Sequence, residues 1–347
     1  MKNTCNMILQ GYPPGACSVI MPDKSIKRAC EATLRKKNGI YYRLIEAIQL
    51  SRPEDYLSIY QSGCNHRCLK CHSWSFTQYY SGEWMSTEDL ALRVAEYEKI
   101  VTAWEPRERA TMWHATDLCR HCGSCVIYGR RSKYCPNKLD VDEIVFSIQG
   151  WGPARNIVSF TGGDLACCAE FYAQAAEKIK DQCKKIWVLL ETNGYGLTKQ
   201  NLEILASGGV DSFWLDIKAY DEEVYKKLCG TTNKWILKVP ELAIDMGFIL
   251  EVLTLYIPNW VEEDQIVKIA ELIASINPET PFTILAFFPQ YKLMNVRRPK
   301  LMEMVKTYFK VKEVGLKNVK LGNISVFTKN ERDLELLVSL VGLETIG

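Results

Sequence analysis

Residues 156–180 read NIVSFTGGDLACCAEFYAQAAEKIK, and they contain the unit whose repetition predicts the fold. The first five residues are a short apolar run typical of a buried strand, and residues 165–180 have helical spacing. Further apolar runs, rich in Val, Ile, Leu, Phe and Trp, begin at residues 186, 212, 248, 282 and 318. Because helical patterns alternate with these runs, the sequence predicts right-handed crossovers and a parallel sheet.

One more apolar run, at residues 56–60, brings the number of candidate strands to seven. A helix is predicted near 87–101, where Ser86 and Asp89 approximate a capping box. Seven strands favour an α/β fold with a partial (β/α)6-type parallel barrel over a doubly wound sheet, although periodicity alone does not separate the two.

Two regions interrupt the alternation and divide the chain. Residues 1–50 have turn signals and a helical pattern near 26–37, and we expect them to form an N-terminal extension. Residues 104–140 are rich in Cys, Arg and Lys, which predicts a cysteine-rich, ferredoxin-like iron–sulfur insertion held by ligands rather than by a core. The barrel then comprises residues 51–103 and 141–330, and residues 331–347 form a C-terminal tail.

The composition limits the functional classes. The 347 residues have a formal net charge of +2, which provides no general attraction to nucleic acid or anionic lipid. No stretch approaches the roughly 20 apolar residues of a membrane helix, and no secretory signal is present. We therefore expect a cytoplasmic protein with neither a nucleic-acid nor a membrane partner. Thiols stay reduced in the cytoplasm, so the fourteen cysteines indicate metal binding rather than disulfides.

Cys64, Cys68 and Cys71 lie in the segment GCNHRCLKCH, residues 63–72, directly after the first predicted strand. Three thiolates on such a short loop can ligate three irons of a [4Fe–4S] cube and leave the fourth iron open for a ligand. The alternative is a zinc site completed by His66 or His72.

A second group consists of four cysteines with ferredoxin-type spacing, although the last spacer is longer than usual. Four thiolates would occupy all four irons of a cube, so such a cluster transfers electrons but does not bind a substrate. A structural zinc site is the alternative. The members of this group are Cys119, Cys122, Cys125 and Cys135.

Most of the other cysteines have no local metal motif. Cys167, Cys168 and Cys183 lie in or beside an apolar helical stretch and are interpreted as small buried hydrophobic residues. A further three are spaced too widely for a local motif, and their role stays open: Cys5, Cys17 and Cys30.

The first cysteine group resembles the signature of the radical SAM superfamily. In that family the open iron binds S-adenosylmethionine (SAM), and one electron cleaves it to methionine and a 5′-deoxyadenosyl radical that abstracts hydrogen. The resemblance implies a radical SAM oxidoreductase whose catalytic [4Fe–4S] cluster is held by Cys64, Cys68 and Cys71. Lys70 departs from the pattern, because the residue before the third cysteine is usually aromatic, and this puts the usual adenine contact in doubt.

Three further segments resemble family motifs at strand ends, where α/β folds gather functional groups. TGGD resembles the GGE motif that binds the SAM amino group, with Asp164 in place of glutamate. ETNG resembles DTNG, which implies that Glu191 and Thr192 help to hold a monovalent cation. DIK resembles DLK, which implies that Asp216 lines the SAM site and that Lys218 joins the catalytic residues. The alternative for these segments is a tight turn or a solvated pair. The predicted cofactor-binding residues are Thr161, Gly162, Gly163, Asp164, Glu191, Thr192, Asn193, Asp216 and Lys218.

The whole pattern is similar to activating enzymes of glycyl radical enzymes such as pyruvate formate-lyase, and to their archaeal relatives. Those enzymes also carry a ferredoxin-like insert, commonly with two clusters, whereas this chain has cysteines for only one. The resemblance implies anaerobic activation of a partner enzyme by hydrogen abstraction from a glycine, with electrons from a donor such as flavodoxin or ferredoxin. Glu251, Leu253 and Thr254 occupy the strand where activating enzymes generally carry an arginine.

Two alternatives belong to other functional classes. One is a radical SAM enzyme that modifies a peptide or a small molecule with help from an auxiliary cluster. The other is a non-enzymatic electron-transfer or zinc-binding protein.

Overall fold

Strands and helices alternate through most of the chain, and the computed structural model describes residues 5–347. The strands are β1 (Val19–Ile20), β2 (Ile26–Lys27), β3 (Leu34–Lys37), β4 (Ile40–Leu50), β5 (Leu57–Gln61), β6 (Glu83–Ser86), β7 (Val145–Ser147), β8 (Gly150–Gly152), β9 (Ile157–Gly162), β10 (Trp187–Thr192), β11 (Ser212–Asp216), β12 (Ile249–Tyr256), β13 (Phe282–Ala286) and β14 (Val319–Gly322). The helices are α1 (Asn6–Leu9), α2 (Ala29–Thr33), α3 (Trp74–Thr77), α4 (Thr87–Glu98), α5 (Ala115–Leu118), α6 (Ser124–Ile127), α7 (Ala169–Gln182), α8 (Lys199–Ser207), α9 (Glu222–Cys229), α10 (Val239–Asp245), α11 (Glu263–Ile276), α12 (Leu301–Glu313) and α13 (Glu331–Val341).

The main sheet confirms the predicted fold class. Its order is β14-β13-β12-β11-β10-β9-β5-β4-β3, and the seven strands that match the predicted runs, β5 and β9 to β14, are all parallel. Each successive strand lies beside the previous one, so the order never reverses as it does in a doubly wound sheet. The result is a partial barrel that ends at β14 on one side and at the antiparallel strands β3, β4 and β6 on the other.

The two faces of this sheet differ in polarity. Side chains such as Phe160, Leu190 and Phe213 face the helices and join the large apolar core. Because successive side chains of a strand point to opposite faces, the residues between them face the inside of the barrel. This inner face carries many polar residues: Ser159, Thr161, Glu191, Asp216, Glu251, Thr283 and Lys320. The inside of the barrel is therefore suited to ligands rather than to a purely apolar core.

Helix α4 confirms the predicted capping box. The Ser86 hydroxyl accepts a hydrogen bond from the Asp89 N–H at 3.0 Å, and the Asp89 carboxylate accepts one from the Ser86 N–H at 2.8 Å. The helix ends at Glu98, three residues before the predicted end.

The helix predicted near 26–37 is wrong for most of its length. Only Ala29–Thr33 is helical, and Leu34–Lys37 is a strand that pairs antiparallel with β4. The turn between β3 and β4 is Asn38-Gly39, with φ angles of 50° and 85°. Asn-Gly between two strands is the strongest short-range hairpin signal in a sequence. The hairpin extends the sheet beyond β5. Residues 1–4 of the predicted extension lie outside the described residues.

No helix among residues 5–347 is both long enough and apolar enough to cross a lipid bilayer.

Candidate active site

The loop that carries Cys64, Cys68 and Cys71 follows β5 and is fixed by close backbone contacts. Gly163 donates its N–H to the Gln61 carbonyl at 2.8 Å, and a Cβ atom at Gly163 would lie 2.2 Å from the Gly63 carbonyl oxygen. Only glycine permits this approach. Gly163 therefore allows the cysteine loop to pack directly against the end of β9. This role of the second glycine of TGGD was not predicted from the sequence.

A buried arginine supports the start of the same loop. The Arg43 side chain is fully buried and donates hydrogen bonds to the Gly63 carbonyl at 3.1 Å and to the Gln61 side chain at 3.3 Å. Since β4 supplies Arg43, the antiparallel strand beside the barrel helps to position the cysteine loop.

Two of the three thiols of the first group, Cys64 and Cys71, lie beside hydrogen-bonding groups. The His66 N–H points at the Cys64 sulfur at 3.4 Å, and the Thr77 hydroxyl lies 3.5 Å from the Cys71 sulfur. The Asn193 side-chain amide reaches the Cys64 sulfur at 3.9 Å. Donors of this kind stabilise negative charge on sulfur and tune iron–sulfur clusters.

Cys229 is a fourth thiol at this site that the sequence analysis did not assign. It contacts Cys68, and the cysteine loop pairs with its backbone through the Arg67 N–H at 3.0 Å. The hydrogen bond with Cys229, together with the Lys218 ammonium, lowers the pKa of Cys68 against the effect of burial. Cys68 is thus the most acidic thiol of the triplet, because burial raises the pKa of both Cys64 and Cys71.

Neither histidine of this segment is placed to complete a zinc site. Both ring nitrogens of His66 are engaged, Nδ1 with the Asn65 side chain at 2.8 Å and Nε2 with the Tyr225 hydroxyl at 3.0 Å. Burial and the nearby Lys218 lower the pKa of His66 to about 3, so the ring is neutral. His72 instead contacts Gln290 at 3.1 Å.

No three His, Cys, Asp or Glu side chains among residues 5–347 are arranged to ligate a single metal ion. A cluster has a different requirement, because each thiolate binds a different iron and the sulfurs need not converge on one point.

Asp164 joins the loops at the ends of three strands. One carboxylate oxygen accepts from the Ala166 N–H, and the other accepts from the Thr192 hydroxyl and the Asn193 N–H, each at 2.8 Å. Its carbonyl accepts from the Asn65 N–H of the cysteine loop at 2.9 Å. Burial raises the pKa of Asp164 in spite of these bonds. The structure thus places Thr161, Gly162, Gly163, Asp164, Thr192 and Asn193 in or beside one assembly around the cysteine loop.

Glu191 and Thr192 do not share a pocket. The Glu191 carboxylate points into the barrel and accepts hydrogen bonds from Tyr56 and Ser159 at 3.0 Å and from Thr161 at 2.5 Å. The Thr192 hydroxyl points the other way, toward Asp164. The predicted monovalent cation site on both residues gains no support from this geometry.

Asp216 and Lys218 are paired with each other at the end of β11, close to the cysteine loop. Burial lowers the pKa of Lys218, but Asp216 and then Cys68 outweigh this effect, so that its pKa is raised. The other carboxylate oxygen of Asp216 is buried without a hydrogen-bond partner among the described residues. An unpartnered acceptor at this position is suited to a ligand with a donor group.

Lys70 occupies the usual aromatic position and lies over the Phe288 ring at 4.4 Å. Burial and the nearby Lys218 lower the pKa of Lys70 to about 8. The aromatic ring at this point of the site therefore comes from the loop after β13 instead of from the cysteine loop. Trp74, three residues after Cys71, stacks on Tyr291 with the ring centroids 5.1 Å apart.

The N-terminal segment covers part of the site, which the sequence did not predict. The Tyr195 hydroxyl donates to the carbonyls of Pro13 and Pro14 at 3.0 Å. A Cβ atom at Gly15 would lie 2.4 Å from the Asn65 carbonyl oxygen. Residues 13–15 are thus packed directly on the loops that carry Cys64 and Asn193.

The second cysteine group lies at the opposite end of the barrel. All four of its thiols line one small cavity. His121, between the first two cysteines, contacts the Asp55 carboxylate at 2.8 Å, and Asp55 precedes β5, whereas Cys64 follows that strand. Cys64 lies nine residues after Asp55, and nine residues of extended chain span up to about 30 Å. The structure therefore does not bring the two cysteine groups together.

The segment before the second group plugs the barrel at the amino ends of its strands. Ser212 donates to the Ala110 carbonyl at 2.6 Å, Glu251 accepts from the Trp113 N–H at 2.7 Å, and Lys320 donates to the Trp113 carbonyl at 2.6 Å. These partners lie near the starts of β11, β12 and β14. A ligand inside the barrel must therefore enter at the carboxyl ends, beside the first cysteine group.

Glu54 lies near Glu191, and its protonation makes the stability of the protein depend on pH. Burial and the Glu191 carboxylate raise the pKa of Glu54 to about 8, and its Oε2 atom has no partner among the described residues. An unfolded glutamate has a pKa of about 4.3. The native state therefore binds this proton more tightly, and the resulting stability, fully present below about pH 4, is lost as the pH rises toward 8.

We predict that Glu54→Gln stabilises the protein relative to the wild type as the pH increases. The difference in unfolding free energy should widen by roughly 1–3 kcal/mol between pH 5 and pH 8, measured by urea unfolding at each pH. Glu88→Gln, at an exposed position of α4, is the control and should keep the wild-type pH dependence. Parallel pH profiles for Glu54→Gln and the wild type would contradict the prediction.

Comparison with known proteins relates part of the chain to one superfamily. Residues 116–273 match the radical SAM superfamily, and the match includes the TGGD, ETNG and DIK segments. The chain is 28% identical over 223 residues to a putative glycyl-radical enzyme activating enzyme of Methanocaldococcus jannaschii, which covers 60% of this chain and 82% of that protein. It is 26% identical over 151 residues to the 4-hydroxyphenylacetate decarboxylase activating enzyme of Clostridium scatologenes, which covers 42% of this chain and 44% of that protein.

A solved structure supports the fold. The FeFe-hydrogenase maturase of Carboxydothermus hydrogenoformans superposes with a TM-score of 0.50 at 13% identity, over 84% of this chain and 57% of that one. At this identity the likeness concerns the fold alone. The predicted relationship to the superfamily and to its activating enzymes is confirmed by the sequence matches.

Proposed function

We propose that this radical SAM enzyme activates a partner enzyme by removing a hydrogen atom from a backbone glycine of that partner. The bound [4Fe–4S] cluster and SAM would supply the chemistry, reductive formation of a 5′-deoxyadenosyl radical and methionine. The observation that carries the proposal is the convergence of β9, β10 and β11 on the loop with Cys64, Cys68 and Cys71.

The residues of the site fit these cofactors. The chain offers three thiols on one loop, with N–H and hydroxyl donors directed at two of the sulfurs. Cys64, Cys68 and Cys71 would hold the cluster, and the unpartnered Asp216 oxygen is an acceptor for a donor group of SAM. Asp164 and Gly163 position the loop, because their own hydrogen bonds connect it to the neighbouring strands.

Closure of the barrel at both ends supports the proposal, because it would shield a bound substrate from water. The segment at residues 110–113 closes the amino end of the barrel, and residues 13–15 pack over the opposite end. Exclusion of water protects a reactive intermediate from side reactions. A flexible glycine loop of a partner protein would enter at the carboxyl ends of the strands.

For the second cysteine group we propose a four-thiolate [4Fe–4S] cluster that accepts electrons from a donor such as flavodoxin or ferredoxin. The cavity lined by all four thiols supports one shared group. We also propose that the protein acts in the cytoplasm under anaerobic conditions, without a nucleic-acid or membrane partner.

One observation favours the alternative function, modification of a peptide or small molecule. Glu251 and Leu253 lie on β12 where activating enzymes generally carry an arginine, and Glu251 is bonded to the Trp113 N–H and the Thr283 hydroxyl. The inner face of this strand is thus acidic and apolar. Acidic and apolar side chains in place of the arginine would suit a substrate other than a glycine loop.

The proposed function is tested by anaerobic reconstitution with iron, sulfide, SAM and dithionite. We expect 5′-deoxyadenosine by chromatography, and a glycyl radical signal by electron paramagnetic resonance when a glycyl radical enzyme encoded nearby is added. Deoxyadenosine without a protein radical would favour the alternative. If no deoxyadenosine forms, the protein does not catalyse radical SAM chemistry.

A further inference from the structure

Five cysteines outside the two groups described above come together beside the first of them, although they lie on four separate segments of the chain. Cys5 directly precedes α1, Cys30 lies on α2, and two adjacent cysteines lie directly before α7. All five are free thiols. We refer to them as the N-terminal cysteine group, which consists of Cys5, Cys17, Cys30, Cys167 and Cys168.

Hydrogen bonds connect three of these thiols in a row. Cys168 is hydrogen-bonded to Cys30 on one side and to Cys167 on the other. The side chain of Asn6, the residue after Cys5, donates to the Cys167 carbonyl at 3.1 Å. These contacts bring α1, α2 and the loop after β9 to one place.

Cys17 lies close to the thiols that precede and follow it in the chain. Burial raises the pKa of Cys17, and so do the nearby thiols of Cys30 and Cys5. The Ala29 N–H donates a hydrogen bond to the Cys17 sulfur. A backbone donor of this kind stabilises negative charge on a sulfur ligand.

Tyr195 lies beside three members of the group. Burial raises the pKa of this tyrosine, followed by the thiols of Cys17, Cys5 and Cys167. Cys167 is also close to Cys30. The thiols of Cys5, Cys17, Cys30 and Cys167 thus lie around one small region of the structure.

This region adjoins the loop of the first cysteine group. The Asp164 carboxylate is close to both Cys64 and Cys167. The Cys17 thiol donates to the Gly15 carbonyl at 3.5 Å, and Gly15 is packed on the loop that carries Cys64. The two sets of thiols are therefore neighbours, whereas the second cysteine group lies at the other end of the barrel.

Cysteines that converge from distant parts of a chain without forming disulfides are suited to hold a metal group. Packing alone does not account for this set, because Cys17 and Cys30 are only half-buried. The thiols among residues 5–347 do not converge on one ion. An iron–sulfur cube does not require this, since each thiolate binds its own iron.

We propose that a further [4Fe–4S] cluster is bound by four thiols of the N-terminal cysteine group: Cys5, Cys17, Cys30 and Cys167. Four thiolates would leave no iron open, so this cube would not bind SAM. Cys168 stays outside the ligand set. Its hydrogen bonds with Cys30 and Cys167 give it the position that Cys229 has beside Cys68 in the first group.

The cluster would also fix the N-terminal segment over the active site. Residues 5–28 contain only one helix of four residues and two strands of two residues. A cube shared with Cys167 would connect this segment to the loop after β9. Because metal binding orders the segments that supply the ligands, loss of the cluster should release residues 5–28 from the barrel.

The experiment compares the iron, sulfide and zinc content of anaerobically reconstituted variants with that of the wild type. Cys17→Ser and Cys30→Ser should each lose about four irons and four sulfides per chain. The double variant should lose no more than either, because both thiols would hold the same cube. Cys183→Ser, at a buried cysteine directly after α7, is the matched control and should keep the wild-type content, as should Cys168→Ala.

Alkylation of the wild type gives a second measurement that does not depend on the folding of any variant. After reconstitution, Cys17 and Cys30 should react with iodoacetamide about tenfold more slowly than before it, as followed by peptide mass spectrometry. Amide hydrogen exchange of residues 5–28 should slow by about tenfold as well.

The inference is overturned if Cys17→Ser and Cys30→Ser keep the wild-type iron and sulfide. It is also overturned if both variants lose zinc instead of iron, or if the anaerobic protein contains a disulfide between Cys30 and Cys168. Loss of the iron in Cys168→Ala, with retention in Cys167→Ala, would contradict the ligand assignment. A wild type that holds this cluster but forms no 5′-deoxyadenosine would refute the proposed function and leave the site intact.

Discussion

Replacement of Cys71 with alanine is expected to lower 5′-deoxyadenosine formation with dithionite by about a thousandfold or more. Cys71 is the third thiol of the first group, and its sulfur contacts the Thr77 hydroxyl at 3.5 Å and the Ser73 backbone. We expect that a cube with two ligands on a short loop is not retained. Iron and sulfide analysis should show loss of this cluster together with loss of activity.

Two cysteine variants serve as controls for Cys71→Ala. Cys229→Ala removes a buried thiol that contacts Cys68 but lies outside the triplet, and it should keep most of the activity. Cys122→Ala should remove the second cluster and keep cleavage with dithionite, because that group lies at the other end of the barrel. If Cys229→Ala abolished the cluster as completely as Cys71→Ala, the assignment of the three ligands would be wrong.

The largest effect on stability is expected from Arg155→Met. The Arg155 guanidinium is completely buried, pairs with Glu105 and donates to the carbonyls of Thr111 and Arg109 at 2.8 Å. Its loss leaves the Glu105 carboxylate and the carbonyls of Glu54, Thr111 and Arg109 without this donor. We expect the unfolding free energy to fall by about 3–5 kcal/mol, measured by urea denaturation.

A matched control separates burial from charge for this prediction. Arg93→Met removes an ion pair with Glu96 of 3.1 Å, in which the arginine side chain is 58% exposed, and should cost less than about 1 kcal/mol. Arg155→Lys keeps the charge but loses the planar guanidinium with its several N–H donors, so its stability should lie between that of Arg155→Met and the wild type. A loss below 1 kcal/mol for Arg155→Met would show that the buried network does not depend on this residue.

The parallel part of the fold was predictable because of how its strands are buried. A strand covered on its helix-facing side by apolar residues appears as a short apolar run, and all seven such runs are strands of the sheet. The interpretation of residues 26–37 as a helix failed because the period of apolar residues there is compatible with a short helix, while the Asn38-Gly39 turn determines a hairpin.

The site was predictable where its residues are close in sequence. Cys64, Cys68 and Cys71 act as one local motif, but the contact of Cys229 with Cys68 joins residues 161 positions apart and has no signal in local spacing. The same limit applies to Cys30, which is hydrogen-bonded to Cys168 although one lies in the N-terminal region and the other beside α7. The location of the second cysteine group also depends on tertiary contacts, chiefly that of His121 with Asp55.

The surroundings of the cysteine loop have a consequence for biosynthesis. Cys71 leaves the ribosome early, but Asp164, Asn193 and Lys218, which close around the loop, follow roughly 100 to 150 residues later in translation. Contacts over such separations form late in folding, because a long stretch of chain must first be ordered. The nascent thiols thus remain uncovered until most of the barrel has been made, and they are accessible to solvent throughout that part of translation.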